Sequence, residues 1–122
     1  MSKLIDISSV DRERIGKYSP PETLVRGNPH QTVEIYLDLP DQGIKAGFWE
    51  GEEGAYRLEF GAGKVEHFVV LEGVLRVHNS DGTHADFKPG ETCILPPGFT
   101  GVFEILERAR KQFVITERAT AA

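Results

Sequence analysis

A chain of 122 residues with 39% hydrophobic and 27% charged residues is long enough for one folded domain with a real core, and too apolar for a disordered one. Its formal net charge is −5, with Lys and Arg scattered and outnumbered, so it carries no basic footprint for nucleic acid. The start, MSKLIDISSVDRER, has no apolar run behind its Lys, the longest run of Val, Leu and Phe is FVVL, and Cys93 is alone. These features point to a cytoplasmic protein with no membrane partner and no intrachain disulfide.

Residues 1–32 carry little periodic signal and read as an arm that packs against a body. SSVDRERI is expected to start a short helix, with a Ser or Asp as cap, that Gly16 soon ends. SPPE and GNP are turn or extended punctuation. From residue 33 to 122 the pattern becomes that of a β domain. TVEIYLDL, KAGFWE, AYRLEF, EHFVVLEGVLRVH, THADF, ETCIL, FTGVFEIL and KQFVIT are separated by PDQG, GEEG, GAGK, NSDG, KPG, PPG and ERAR. About eight short strands with turn chemistry between them predict an all-β fold, an antiparallel sandwich or barrel. HNSDGTH is the clearest hairpin, with Asp81-Gly82 supplying the positive φ of a tight turn and His78 and His84 flanking it. ERARK, residues 107–111, reads as a solvated basic turn from which Arg110 or Lys111 reaches a barrel mouth.

The strand faces carry further information. In AYRLEF, Tyr56, Leu58 and Phe60 share one face and Arg57 and Glu59 the other. In EHFVVL both faces are apolar after the first two residues, so the strand is covered on two sides. The lumen of a small barrel covers one side, and the arm or a second copy of the chain covers the other, which predicts a homodimer. Within GKVEHFVVLEGVLRV, Glu66 and His67 are metal-ligand types at a strand start. Being adjacent, they point to opposite faces. GAGK is glycine-rich, but no helix follows it, which rejects a phosphate loop.

Two segments resemble the paired motifs of the cupin superfamily: Glu66, six residues and Gly73, then Gly90, five residues and Pro96-Pro97-Gly98. The resemblance implies a small antiparallel jelly-roll barrel, which agrees with the strand count. From AGFWEGEEGAYRLEF to KPGETCILPPGFTGVFEILERARKQFVI, about residues 46–116, the chain is similar to small single-domain cupins grouped with the cupin domain of (S)-ureidoglycine aminohydrolase. LVRGNP looks like the lead-in of that branch. The resemblance places Glu66 on the motif glutamate and Glu59 on the first histidine position. The remaining histidine positions are Gly61 and Gly101. The implied metal set is therefore incomplete, with Glu66 and Glu59 as its only carboxylates. Two hard oxygens suit a weakly held Mg²⁺ or Ca²⁺ or no metal at all, and not a two-His iron.

Two readings stand for Glu66: a lumen carboxylate acting as metal ligand or general base, or a strand-end acid paired with Arg57 or Lys64. Glu59 shares a lumen with Glu66 only if the Tyr56 face is the outer one. Two such carboxylates serve as acid and base, with Arg57 clamping a substrate carboxylate or neutralising the pair. Trp49, Tyr56, Phe68, Phe99 and Phe103 line a ligand pocket or simply fill the core. Cys93 is expected to be a buried inert thiol. The function expected is binding or conversion of a small polar metabolite in the lumen, with Glu66 at its centre. The alternative is a metal-free sensing or scaffold module without catalysis.

Overall fold

The computed structural model describes residues 2–118. Its strands are β1 (Arg14–Lys17), β2 (Leu24–Arg26), β3 (Gln31–Leu39), β4 (Ile44–Gly51), β5 (Gly54–Glu59), β6 (Lys64–Asn79), β7 (His84–Phe87), β8 (Thr92–Leu95) and β9 (Thr100–Glu117). Single 3₁₀ turns at Pro21–Thr23 and Pro40–Gln42 interrupt them. All pairings are antiparallel, so the chain is all-β and curls into the jelly roll expected of it. Among the described residues no helix is long and apolar enough to cross a membrane.

β6 and β9 form the spine, running side by side for most of their length. The second half of β9 pairs with β4, and β3 and β1 continue outward from it. The first half of β9 pairs with β5, which β2 extends. β6 takes β8 on its first half and β7 on its second. Each long strand therefore belongs to both walls. The change of wall falls where the β6–β9 register shifts, between Val70 and Leu75. Bulges are the usual device for such a bend. Gly73 sits there at φ 79, where an added β-carbon would run into the Arg108 carbonyl. No side chain fits that position, and an L-residue rarely adopts that φ.

EHFVVLEGVLRVH forms one strand as read, β6 continuing to Asn79 through the bulges, while two sequence expectations change. The basic segment 107–111 is not a turn but the middle of β9, because it has no Gly or Pro and both neighbouring strands supply it with hydrogen bonds. SSVDRERI forms no helix: a turn at residues 7–9 leads into β1, which pairs with β3. Its backbone groups find partners on a sheet edge, which a single helical turn does not offer. The Asp81-Gly82 turn forms as expected, with Gly82 at φ 91 and His78 opposite His84.

The core lies between the walls. Phe68, Phe103, Val70, Leu75 and Ile105 are fully buried. Phe103 packs edge-on against Trp49 and Phe68. Along β9, Phe103, Ile105, Ala109, Phe113 and Ile115 alternate inward. Lys111 holds the same parity and is buried.

Candidate functional site

The lumen is apolar except for a small set of polar side chains, each brought in by strand alternation. β6 contributes Glu66, because Glu66, Phe68 and Val70 point inward while His67 is exposed on the opposite face. β9 contributes Lys111 between Ala109 and Phe113. Lys111 Nζ donates to Glu66 Oε2 at 2.7 Å, with only 8% and 9% of the two side chains exposed. The ammonium also lies 4.9 Å from the Trp49 ring centre, 4.6 Å from Phe68 and 4.5 Å from Phe103. Three aromatic rings and a carboxylate thus surround the ammonium.

A second polar group sits beside the pair. Gln31, at the start of β3, is 2% exposed. Its Oε1 accepts from Trp49 Nε1 at 3.0 Å and from the Tyr56 hydroxyl at 3.2 Å. Its Nε2 donates to Ser19 Oγ at 2.9 Å, which ties the N-terminal arm to the lumen. The amide is thus used from both ends and its orientation is fixed. Burial, and secondarily the charge of Glu66, push the Tyr56 phenol far above its ordinary range, so it stays a neutral donor.

Next to this cluster is a cavity of about 280 Å³, partly open to solvent. Trp49, Tyr56, Phe103, Glu66 and Lys111 line it from the barrel, and Lys17, Tyr18, Ser19, Pro20 and Thr23 from the arm. Of the residues singled out from sequence, Glu66, Trp49, Tyr56 and Phe103 come together here. Arg57 reaches the rim, where it donates to the Glu22 carbonyl oxygen. Glu59 is exposed on the outer face of β5, opposite Thr100, and does not border the cavity. Phe68 touches the ammonium from behind, and Phe99 packs on Phe60 instead. The ion pairs expected of a strand-end acid, with Arg57 or Lys64, do not form. Lys64 lies over the Phe60 ring at 4.6 Å and Glu66 takes Lys111.

Cys93, on β8, is buried, and burial first, then Glu66, against an opposing effect of Lys111, push its thiol up to about 11. That is an inert thiol at neutral pH, as its surroundings in the sequence suggested.

The donor set does not fit a metal. Among the described residues no three His, Cys, Asp or Glu side chains come together to hold one. Glu66 already carries an ammonium, and Glu59 faces away from it. A β-carbon at Gly101 would meet the His78 carbonyl and come 2.7 Å from the Phe99 ring, so no histidine fits there. A β-carbon at Gly61 would meet open space, but Gly61 borders an outer recess with Gly63 and Arg118, away from the lumen.

A small curled jelly roll of all-antiparallel strands is the fold of a cupin. The chain belongs to the EutQ-like cupin domain family, whose model matches residues 39–113. It is similar in fold to the EutQ protein of Clostridium difficile, with 22% identity over 83% of this chain and 74% of that one, TM-score 0.64. A putative ethanolamine utilization protein q of Salmonella typhimurium matches with 16% identity over 91% of this chain and 99% of that one, TM-score 0.63. A DUF861-family protein of unknown function from Pseudomonas syringae matches 88% of this chain and 45% of its own, with 14% identity and TM-score 0.72. At these identities the likeness is one of fold. No curated protein matches the chain.

Proposed function

We propose that this cupin binds a small polar metabolite in its lumen without a metal, and that the Glu66–Lys111 pair is the polar centre of the site. The observation that carries the reading is the lysine ammonium 2.7 Å from the motif glutamate, beside an open cavity. In a metal-bearing cupin a cation would be expected to engage that glutamate, and here Lys111 supplies one. A lysine can donate hydrogen bonds to a ligand oxygen and balance its charge, but offers no vacant coordination position. Metal-dependent hydrolysis of the ureidoglycine type is therefore not proposed, although the small-metabolite lumen of that branch is kept.

The open cavity weighs against a scaffold with a filled lumen. Glu66 and Lys111 are also a proton acceptor and a proton donor in contact, the minimum for acid–base chemistry on a bound ligand. A second copy of the chain is proposed to cover the outer face. Ile94, His67 and Val114 form one cross-strand row there, with Ile94 62% and Val114 39% exposed. A thermal-shift screen of small metabolites in the presence of a chelator tests the central reading. A stabilising compound that keeps its effect in chelator and loses it in Glu66→Gln is the expected result. Binding that the chelator abolishes would refute it.

A further inference from the structure

The lumen carries more positive than negative charge. Lys17, Arg57, Lys64 and Lys111 border the cavity, against one carboxylate, Glu66. Glu66 is engaged by Lys111, Arg57 is turned to the Glu22 carbonyl, and Lys64 rests on Phe60. Among the described residues Lys17 has no carboxylate within ion-pair distance. Yet Lys17 is not a plain surface lysine, although the residue as a whole is exposed. Lys17 borders the same cavity as Lys111, and its pKa is lowered, by burial first and then by repulsion from Lys111. Two cations facing one cavity are relieved by an anion placed between them.

The walls say what kind of anion. Trp49, Tyr56 and Phe103 offer apolar surface, and about 280 Å³ admits a compact ligand. Among the described residues the cavity is lined by no α-helix terminus, and its cations are dispersed. It thus offers no row of convergent backbone N–H donors of the kind that favours a phosphate. We infer that the lumen takes a small carboxylate anion, held between Lys17 of the arm and Lys111 of β9, with its carbon skeleton against Trp49 and Phe103. This rests on the proposed metabolite-binding lumen and adds the charge class of the ligand. It also gives the arm a role in binding. β1 carries Lys17, and Ser19 is pinned by Gln31, so the arm completes the site.

Trp49 is the sole tryptophan and stands in the cavity wall, so its fluorescence reports occupancy directly. The protein is titrated at constant ionic strength with propionate, lactate and succinate, with the matching amides, and with inorganic phosphate. The expected result is a saturable change with at least one acid and roughly tenfold or weaker binding of its amide. Lys17→Met is expected to weaken the acid by roughly tenfold while its melting temperature stays that of wild type. Lys111→Met is paired with Glu66→Gln in one double variant, so that no lone buried charge prevents folding, and that variant is expected to lose the acid altogether. Amides that bind as tightly as acids, or an acid indifferent to Lys17→Met, would overturn the carboxylate inference while leaving a metabolite-binding lumen in place. Phosphate binding tighter than every acid would overturn it in favour of a phosphate site. No saturable change with any acid also overturns it. The metabolite-binding reading falls with it only if the chelator-treated screen is empty too.

Discussion

Replacing Lys111 by Met leaves Glu66 as a buried carboxylate without its 2.7 Å partner, in a lumen walled by aromatic rings. At that distance the attraction is about 6 kcal/mol for an effective dielectric near 20, and desolvating the two ions opposes it by several kcal/mol. The intact pair therefore adds little net stability, whereas losing one member costs about 3–5 kcal/mol. The two single variants are not equivalent. In Glu66→Gln the ammonium keeps its ring contacts, worth up to about 2 kcal/mol when desolvated, and gains an amide oxygen as acceptor. Lys111→Met is thus expected to be the more damaging, and the double variant to recover at least about 2 kcal/mol relative to the sum of the singles. Urea unfolding followed by Trp49 fluorescence measures all four proteins. Additive single effects, or a Lys111→Met loss below about 1 kcal/mol, would mean instead that the pair is solvated and uncoupled.

Restoring the second-motif histidine by Gly101→His drives a side chain into the His78 carbonyl and the Phe99 ring. The variant should lose about 3 kcal/mol or more by chemical denaturation, and a variant as stable as wild type that gains stoichiometric manganese would contradict this. Cys93, pushed up to about 11 by burial, should not react with a thiol reagent at pH 8 until denaturant is added; prompt labelling of the native protein would show that the site is open. Glu104 is held below its ordinary value of 4.5 by the His78 hydrogen bond first, against the effect of burial, and then by Arg26. A carboxylate lowered in the folded state contributes stability above its unfolded pKa, and that stability is lost as pH falls through the folded value. Glu104→Gln should therefore flatten the decline in stability below about pH 4.5, and an unchanged acid slope would show that the carboxylate is not coupled to folding.

Much of the lumen is legible in the sequence because alternation is a local property. Glu66 inward and His67 outward, and Tyr56 and Leu58 inward with Arg57 and Glu59 outward, follow from a period of two along an uninterrupted strand. For Lys111 the sequence suggests only a reach toward a barrel mouth, because the charged run 107–111 reads as a turn. Yet Phe103, Ile105, Ala109, Phe113 and Ile115 keep one parity through that run, and the absence of Gly or Pro is the signal that the strand continues. Gln31 escapes the pattern when the strand is started at Thr32. Beginning it one residue earlier puts Gln31 on the face of Val33 and Ile35. That Glu66 meets Lys111, 45 residues away, depends on the pairing register of β6 with β9. That contact lies within the unbroken register of residues 64–70 against 111–117, before the bulges between Val70 and Leu75, and only a register can turn two separate alternations into one contact.

We propose that a lysine, not a metal, engages the motif glutamate in this cupin. Elemental analysis of the untagged protein, purified without chelator beside Glu66→Gln, tests it most directly. No stoichiometric divalent ion is expected in either protein, and none retained after manganese, zinc or iron is added and the excess removed. About one ion per chain in the wild type, lost in Glu66→Gln, would contradict it and return Glu66 to the role of metal ligand.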